Sequence, residues 1–157
     1  MLKVRMLKPR YPSWSSTVLM LAVIGGLVIP VVAATAQNPT QFEGRLTPVP
    51  VDGVTRDLIT GIGSLSAVLE GTRLTITGSF EGLRDSATEA NVHRGLATGV
   101  RGTAFFELTV SRSTSGDVSG SLDLNPDQIE SLREGRLYVQ IHSEIAPEGN
   151  LWGWLLQ

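Results

Sequence analysis

The stretch that decides the fold is GRLYVQIHSEIAPEGNLWGWLLQ, Gly135 to Gln157. From Arg136 to Ser143, Leu137, Val139 and Ile141 alternate with Tyr138, Gln140 and His142, the period of two expected of a strand with one buried face. Pro147, Glu148, Gly149 and Asn150 carry turn chemistry, because proline presets φ and glycine accepts positive φ. An apolar strand from Leu151 to Leu156 is therefore predicted to close a β-hairpin.

Working upstream, segments with strand character recur between Gly-, Pro-, Asp- or Ser-containing loops. They are Phe42 to Thr47, Leu58 to Glu70, Thr72 to Leu83, Ala90 to Arg94, Gly102 to Val110 and Val118 to Leu124. With the terminal pair this makes about eight short strands, which predicts an all-β sandwich or barrel. Glu70-Gly71-Thr72 marks a tight hairpin. One short helix is predicted near 126–134: Asn125 can cap it, Pro126 suits its first position, Asp127 and Glu130 complement its dipole, and Gly135 ends it. Its apolar face, Ile129 and Leu132, is expected to plug one end of the β structure.

The first 36 residues read differently. Lys3, Arg5, Lys8 and Arg10 precede an uncharged run from Thr17 to Val32, followed by Ala34-Thr35-Ala36. A basic start, an apolar middle and small residues before a cleavage point are the parts of an export signal, with cleavage expected between Ala36 and Gln37. The alternative is an uncleaved anchor, with residues 17–33 kept in a membrane. Against it, the apolar run of 16 residues, broken by Gly25-Gly26 and ended by Pro30, is shorter than the roughly 20 residues that span a bilayer. Export would place the protein in the periplasm, at the cell surface or in the medium.

Beyond Ala36 the chain carries nine arginines, no lysine and fifteen acidic residues, a formal charge of −6 hidden by the basic start. Such a domain is a poor partner for nucleic acid or anionic lipid. The chain has no cysteine, so disulfides, thiolate metal sites and a thioether lipid anchor are all excluded, and stability must come from the core. Its size suits one domain, over 41–157.

The ending resembles the C-terminal signature of the CHRD (chordin-type) domain, in which a G-x-L-Y-V-x-I-H-T strand leads through P-x-G-E-I-R-G-x-L. Leu124 to Gly135 follows the helix that precedes that strand in the family. Ala90-Asn91-Val92-His93-Arg94-Gly95 and Gly102 to Leu108 look like the family's A-H-I-H-x-G and G-x-V-x-F-x-L strands. The resemblance runs from about Gln41 to Gln157 and implies an immunoglobulin-like or Greek-key β-sandwich or barrel, with limited similarity to copper/zinc superoxide dismutases. It implies no settled activity. Where the family often has its first histidine, this chain has Asn91.

His93 and His142 are the only histidines, and both fall opposite the apolar alternation. If their strands are neighbours, Asn91, His93, Gln140 and His142 form a polar cluster. Imidazole suits Cu or Zn, but a tight site ordinarily uses three or four protein ligands. Glu89, Glu144 and Glu148 are the nearby carboxylates. The bland reading is that the two rings hydrogen-bond backbone or each other across strands and pin the sheet's register; it predicts no cofactor. No nucleophile elbow, P-loop or dinucleotide fingerprint occurs, and no enzymatic activity is expected.

Trp152 and Trp154 point to one side of the closing strand, where family members carry Arg and a polar residue. That unbroken apolar run predicts cover on both faces of the strand, from the protein itself or from a partner. The functional expectation is a binding module for an unknown protein or small ligand, with Trp152, Trp154, Tyr138 and Gln140 as binding candidates. The alternatives are a metal-binding or superoxide-dismutase-like protein using His93 and His142, and a membrane-tethered envelope structural protein.

Overall fold

Alternation of apolar and polar side chains builds eight strands in the computed structural model, which describes residues 38–50 and 57–157. They are β1 (Thr40–Pro48), β2 (Ile62–Glu70), β3 (Arg73–Glu81), β4 (Ala87–Arg94), β5 (Thr103–Val110), β6 (Gly116–Asp123), β7 (Leu137–Ser143) and β8 (Ala146–Trp154). One helix, α1 (Pro126–Arg133), lies between β6 and β7. The expected export signal and its cleavage point, Ala36/Gln37, lie outside the described residues. Among the described residues no helix is long and apolar enough to cross a membrane.

All pairings are antiparallel, and the strands close in the order β1-β2-β3-β6-β5-β4-β7-β8. Of the two architectures expected, the chain takes the closed barrel. Closure comes from β1 meeting β8, with Thr47 opposite Trp152, Pro48 opposite Leu151 and a further bridge between Glu43 and Leu156. A closed sheet leaves no free edge along that seam, which removes a template for aggregation. The core inside it includes Phe42, Leu46, Leu65, Ile76, Phe80, Val92, Val139, Ile141 and Leu151.

The helix forms where the sequence placed it. Asn125 Oδ1 accepts from the Gln128 backbone N–H at 2.9 Å, and Gln128 Oε1 accepts from the Asn125 N–H at 2.9 Å, a reciprocal capping box. Leu132 is fully buried in the core cluster and Ile129 packs against it. Gly135, at φ +67°, ends the helix in a conformation that a side chain would strain. Asn125→Ala should therefore lower stability by about 1 kcal/mol, since it leaves an orphan helix N–H. Urea denaturation should show a lower midpoint with an unchanged m-value.

The terminal hairpin differs from its expected form. Its turn is at Glu144 and Ile145, with Ser143 opposite Ala146, and Pro147 to Asn150 lie inside β8. Residues with turn chemistry serve here to bend a strand: the register of β7 against β8 shifts between Ile141 and Ser143, and Gly149 takes φ +125°. A Cβ on Gly149 would lie 2.5 Å from Gln140 Nε2, so the glycine also makes room for that amide. The second strand likewise begins at Ile62 rather than Leu58, and just before it Thr60 Oγ1 donates to Gly82 O at 2.8 Å.

Candidate functional site

Core side chains of β4, β7 and β8 point into the barrel, so their alternates must lie on its outer wall. That wall is where the expected site residues collect. Asn91 is opposite Gln140, His93 is opposite Tyr138, Tyr138 is opposite Trp154, and Gln140 is opposite Trp152. An outer wall ordinarily carries solvated side chains, yet here Tyr138, Gln140, Asn91 and His93 are buried, with Tyr138 only 1% exposed.

Ring packing explains the burial. Tyr138 stands at the centre, its ring centroid 4.4 Å from Trp154, 4.8 Å from His93 and 5.8 Å from Trp152. Trp152 and Trp154 meet edge to face at 5.7 Å. Such pairs contribute roughly 0.5–1.5 kcal/mol each beyond their area. The segment from β4 to β5 supplies further cover: a Cβ on Gly95 would come within 2.9 Å of the Trp154 ring. The cover predicted for the two tryptophans is thus supplied in part by the protein itself, and both indoles remain half-buried.

Gly102, the residue just before β5, ties the two halves of the wall together. Its N–H donates to the Tyr138 hydroxyl at 3.0 Å, and its carbonyl accepts from His93 Nδ1 at 3.1 Å. A carbonyl can only accept, so His93 carries its proton on Nδ1 and presents a bare Nε2. His142 is held the same way, Nδ1 donating to Pro147 O at 2.8 Å. Burial pushes the His93 pKa below its ordinary value, and the neighbouring His142 and Arg101 lower it further; the bond to Gly102 and the Glu89 carboxylate act in the opposite sense. His93 is accordingly a neutral ring at pH 7.

Between the histidines lies Gln140. Its Nε2 donates to Glu148 O at 3.1 Å and approaches His142 Nε2 at 3.4 Å. Arg101 donates to the same Glu148 carbonyl at 3.2 Å. Asn91 donates to Glu89, which stands opposite His142 in the register. Three polar atoms in the wall are buried without a partner: His93 Nε2, Gln140 Oε1 and Trp154 Nε1. Leaving such groups unpaired costs roughly 1–3 kcal/mol each.

From sequence, Asn91 and His93 share one strand face, Tyr138, Gln140 and His142 another, and Trp152 and Trp154 one side of the closing strand; the barrel brings all three sets onto one wall. Of the carboxylates considered, Glu89 joins the cluster through Asn91, while Glu148 contributes its backbone carbonyl. Two participants carried no sequence signal. Gly102 reads as an ordinary loop glycine, and Arg101 as a solvated charge. Among the described residues no group of three His, Cys, Asp or Glu side chains is placed to share a metal ion.

Comparison with known proteins adds a family. No curated protein and no solved structure matches the chain significantly. The model described as CHRD domain matches residues 42–155, the whole barrel from Phe42 in β1 to Leu155 just past β8. The chain that builds this aromatic and histidine wall belongs to the CHRD domain family.

Proposed function

We propose that the protein is an exported, non-catalytic binding module whose ligand seats on the outer wall of β4, β7 and β8. The observation that carries this reading is the coincidence, on one patch, of three buried unpaired polar atoms with a packed set of aromatic rings. Two acceptors and one donor set among rings suit a small ligand or a short segment of a partner, the aromatic faces giving area and the polar atoms orientation. Export is supported by the basic start, apolar run and Ala34-Thr35-Ala36.

The barrel is best read as a Greek-key barrel. Strands β4, β5 and β6 are sequential neighbours and β7 returns beside β4, the spatial order of that motif. A superoxide-dismutase-like activity has less support, since a catalytic metal centre ordinarily uses three protein ligands and this wall offers two imidazoles. The tethered structural protein is the reading that export with cleavage would displace.

Native mass spectrometry of the full chain, expressed in a secreting bacterial host, tests the proposal. The expected result is a mature mass beginning at Gln37 with a non-covalent adduct that Trp154→Ala loses. Bare protein in both samples would overturn the ligand reading, and superoxide turnover above a free-metal control would overturn its non-catalytic part.

A further inference from the structure

We propose that the outside of β1, β2 and β3 carries a glycan-binding groove, beside the β4–β7–β8 wall and distinct from its ligand site, in which a short chain of sugar rings lies across the strands. The groove encloses about 680 Å³. Its floor follows from glycine. Gly44, Gly78 and Gly153 face the core around Leu65, and a Cβ on each would fall 3.2, 2.7 and 2.9 Å from a Leu65 methyl, respectively. Without those carbons the wall closes down onto one leucine, and the outer surface is hollowed above it.

Register then arranges the lining in two rows that cross the strands. In one, Arg45 is opposite Ser64, Ser64 is opposite Ser79 and Ser79 is opposite Asp117. In the other, Glu43 is opposite Ser66 and Ser66 is opposite Thr77. All of these side chains are exposed, and Trp154 and Leu156 close the end next to β1. From β8 to β6 the first row covers four strand spacings of about 4.8 Å, roughly 19 Å. That length suits an oligomer rather than a single ring.

The chemistry of the lining chooses the ligand. Each hydroxyl both donates and accepts, a carboxylate accepts at two oxygens, and a guanidinium donates in a planar fork, a set matched by the neighbouring hydroxyls of a sugar ring. On the same face Thr75 and Ser121 satisfy each other at 3.0 Å, whereas among the described residues no such bond joins Ser64 to Ser79 or Ser66 to Thr77. The ion pairs among the described residues, Arg73–Asp123 and Arg136–Glu134, leave out Glu43, Arg45 and Asp117. Two acids against one arginine disfavour a nucleic acid. Each of β1, β2 and β3 is paired on both sides, so a peptide has no edge to extend. Exposed apolar surface comes from Trp154 and Leu156 at one end, enough to stack the C–H face of one ring and too little to hold an apolar molecule.

The test is a titration of the nitrogen-labelled full chain, expressed in a secreting bacterial host, with cellohexaose, maltohexaose, xylohexaose and chitohexaose, followed by amide NMR shifts. At least one hexamer should shift the amides of Arg45, Ser64, Ser79 and Asp117, with its monosaccharide about 10-fold weaker or more, since one ring fills only part of the row. Arg45→Ala removes charge-assisted hydrogen bonds and should weaken that hexamer about 10-fold or more. Ser64→Ile fills the centre of the groove at an exposed strand position that accepts β-branched side chains, and it should abolish the shifts. Ser121→Ala, on the same face outside the groove, should bind as the wild type does; the same spectra report folding of every variant. No shift with any hexamer, a monosaccharide as tight as its hexamer, wild-type affinity in folded Arg45→Ala or Ser64→Ile, or an equal loss in Ser121→Ala would each overturn the proposal. Shifts confined to β4, β7 and β8 would also overturn it and would leave the ligand of that wall standing.

Discussion

Gly102→Ala is expected to destabilise the barrel by about 3 kcal/mol or more, the upper end for overpacking, because the new methyl has nowhere to go. A Cβ at this position would lie 1.8 Å from the Arg94 carbonyl oxygen and 2.7 Å from the Gly95 Cα. Both are backbone atoms, so no rotamer change relieves the contact and β4 must separate from the start of β5. That displacement removes the acceptor of His93 Nδ1 and the donor to the Tyr138 hydroxyl together. A lower thermal midpoint, faster amide exchange from Thr103 onward and loss of the wall's ligand should therefore appear as one event. Wild-type stability in Gly102→Ala would show that the β4–β5 junction yields without cost, and the coupling between fold and site argued here would fail.

Much of this arrangement follows from local pattern. Alternation in Leu137, Val139 and Ile141 puts Tyr138, Gln140 and His142 on the other face with no tertiary information. The capping residues around α1 act within one turn, so their chemistry is visible in the residues themselves. What the sequence concealed depends on contacts between distant segments. Asn150 reads as a turn residue, yet it is fully buried: its Oδ1 accepts from Ser143 Oγ at 3.0 Å, and its Nδ2 donates to Thr60 O, ninety positions away, at 2.8 Å. Gly149 was misplaced for a related reason. A glycine at φ > 0 serves a turn and a bulge equally, and only the pairing of β7 with β8 separates them. Closure of the barrel was also hidden, since the β1–β8 pairing joins the two ends of the domain. His93 and Tyr138 could each be placed opposite the apolar alternation of its own strand, but not the carbonyl that orients the imidazole, because Gly102 carries no side chain to announce it.

Tyr138→Ala should have the second large effect, a loss of about 3–5 kcal/mol, as for other buried aromatic side chains cut to alanine. Tyr138 is the one ring in contact with His93, Trp152 and Trp154. Its removal opens a cavity beneath two indoles and frees one face of the imidazole. Tyr138→Phe keeps the ring and deletes only the hydroxyl, which accepts from Gly102 N at 3.0 Å and donates to Gly102 O at 3.4 Å. Gly102 is exposed, so water can take over that N–H, and the expected cost is nearer 1 kcal/mol. Urea denaturation of the two variants separates packing from hydrogen bonding, and their retention of the wall's native adduct separates two ways of holding His93. If ring contact positions the imidazole, Tyr138→Phe binds as the wild type does and Tyr138→Ala binds more weakly. Should the Gly102 carbonyl suffice, both retain binding while only Tyr138→Ala loses stability. Equal loss of affinity in the two variants would instead assign the hydroxyl a direct part in orienting the Gly102 peptide, and with it the imidazole that this peptide anchors.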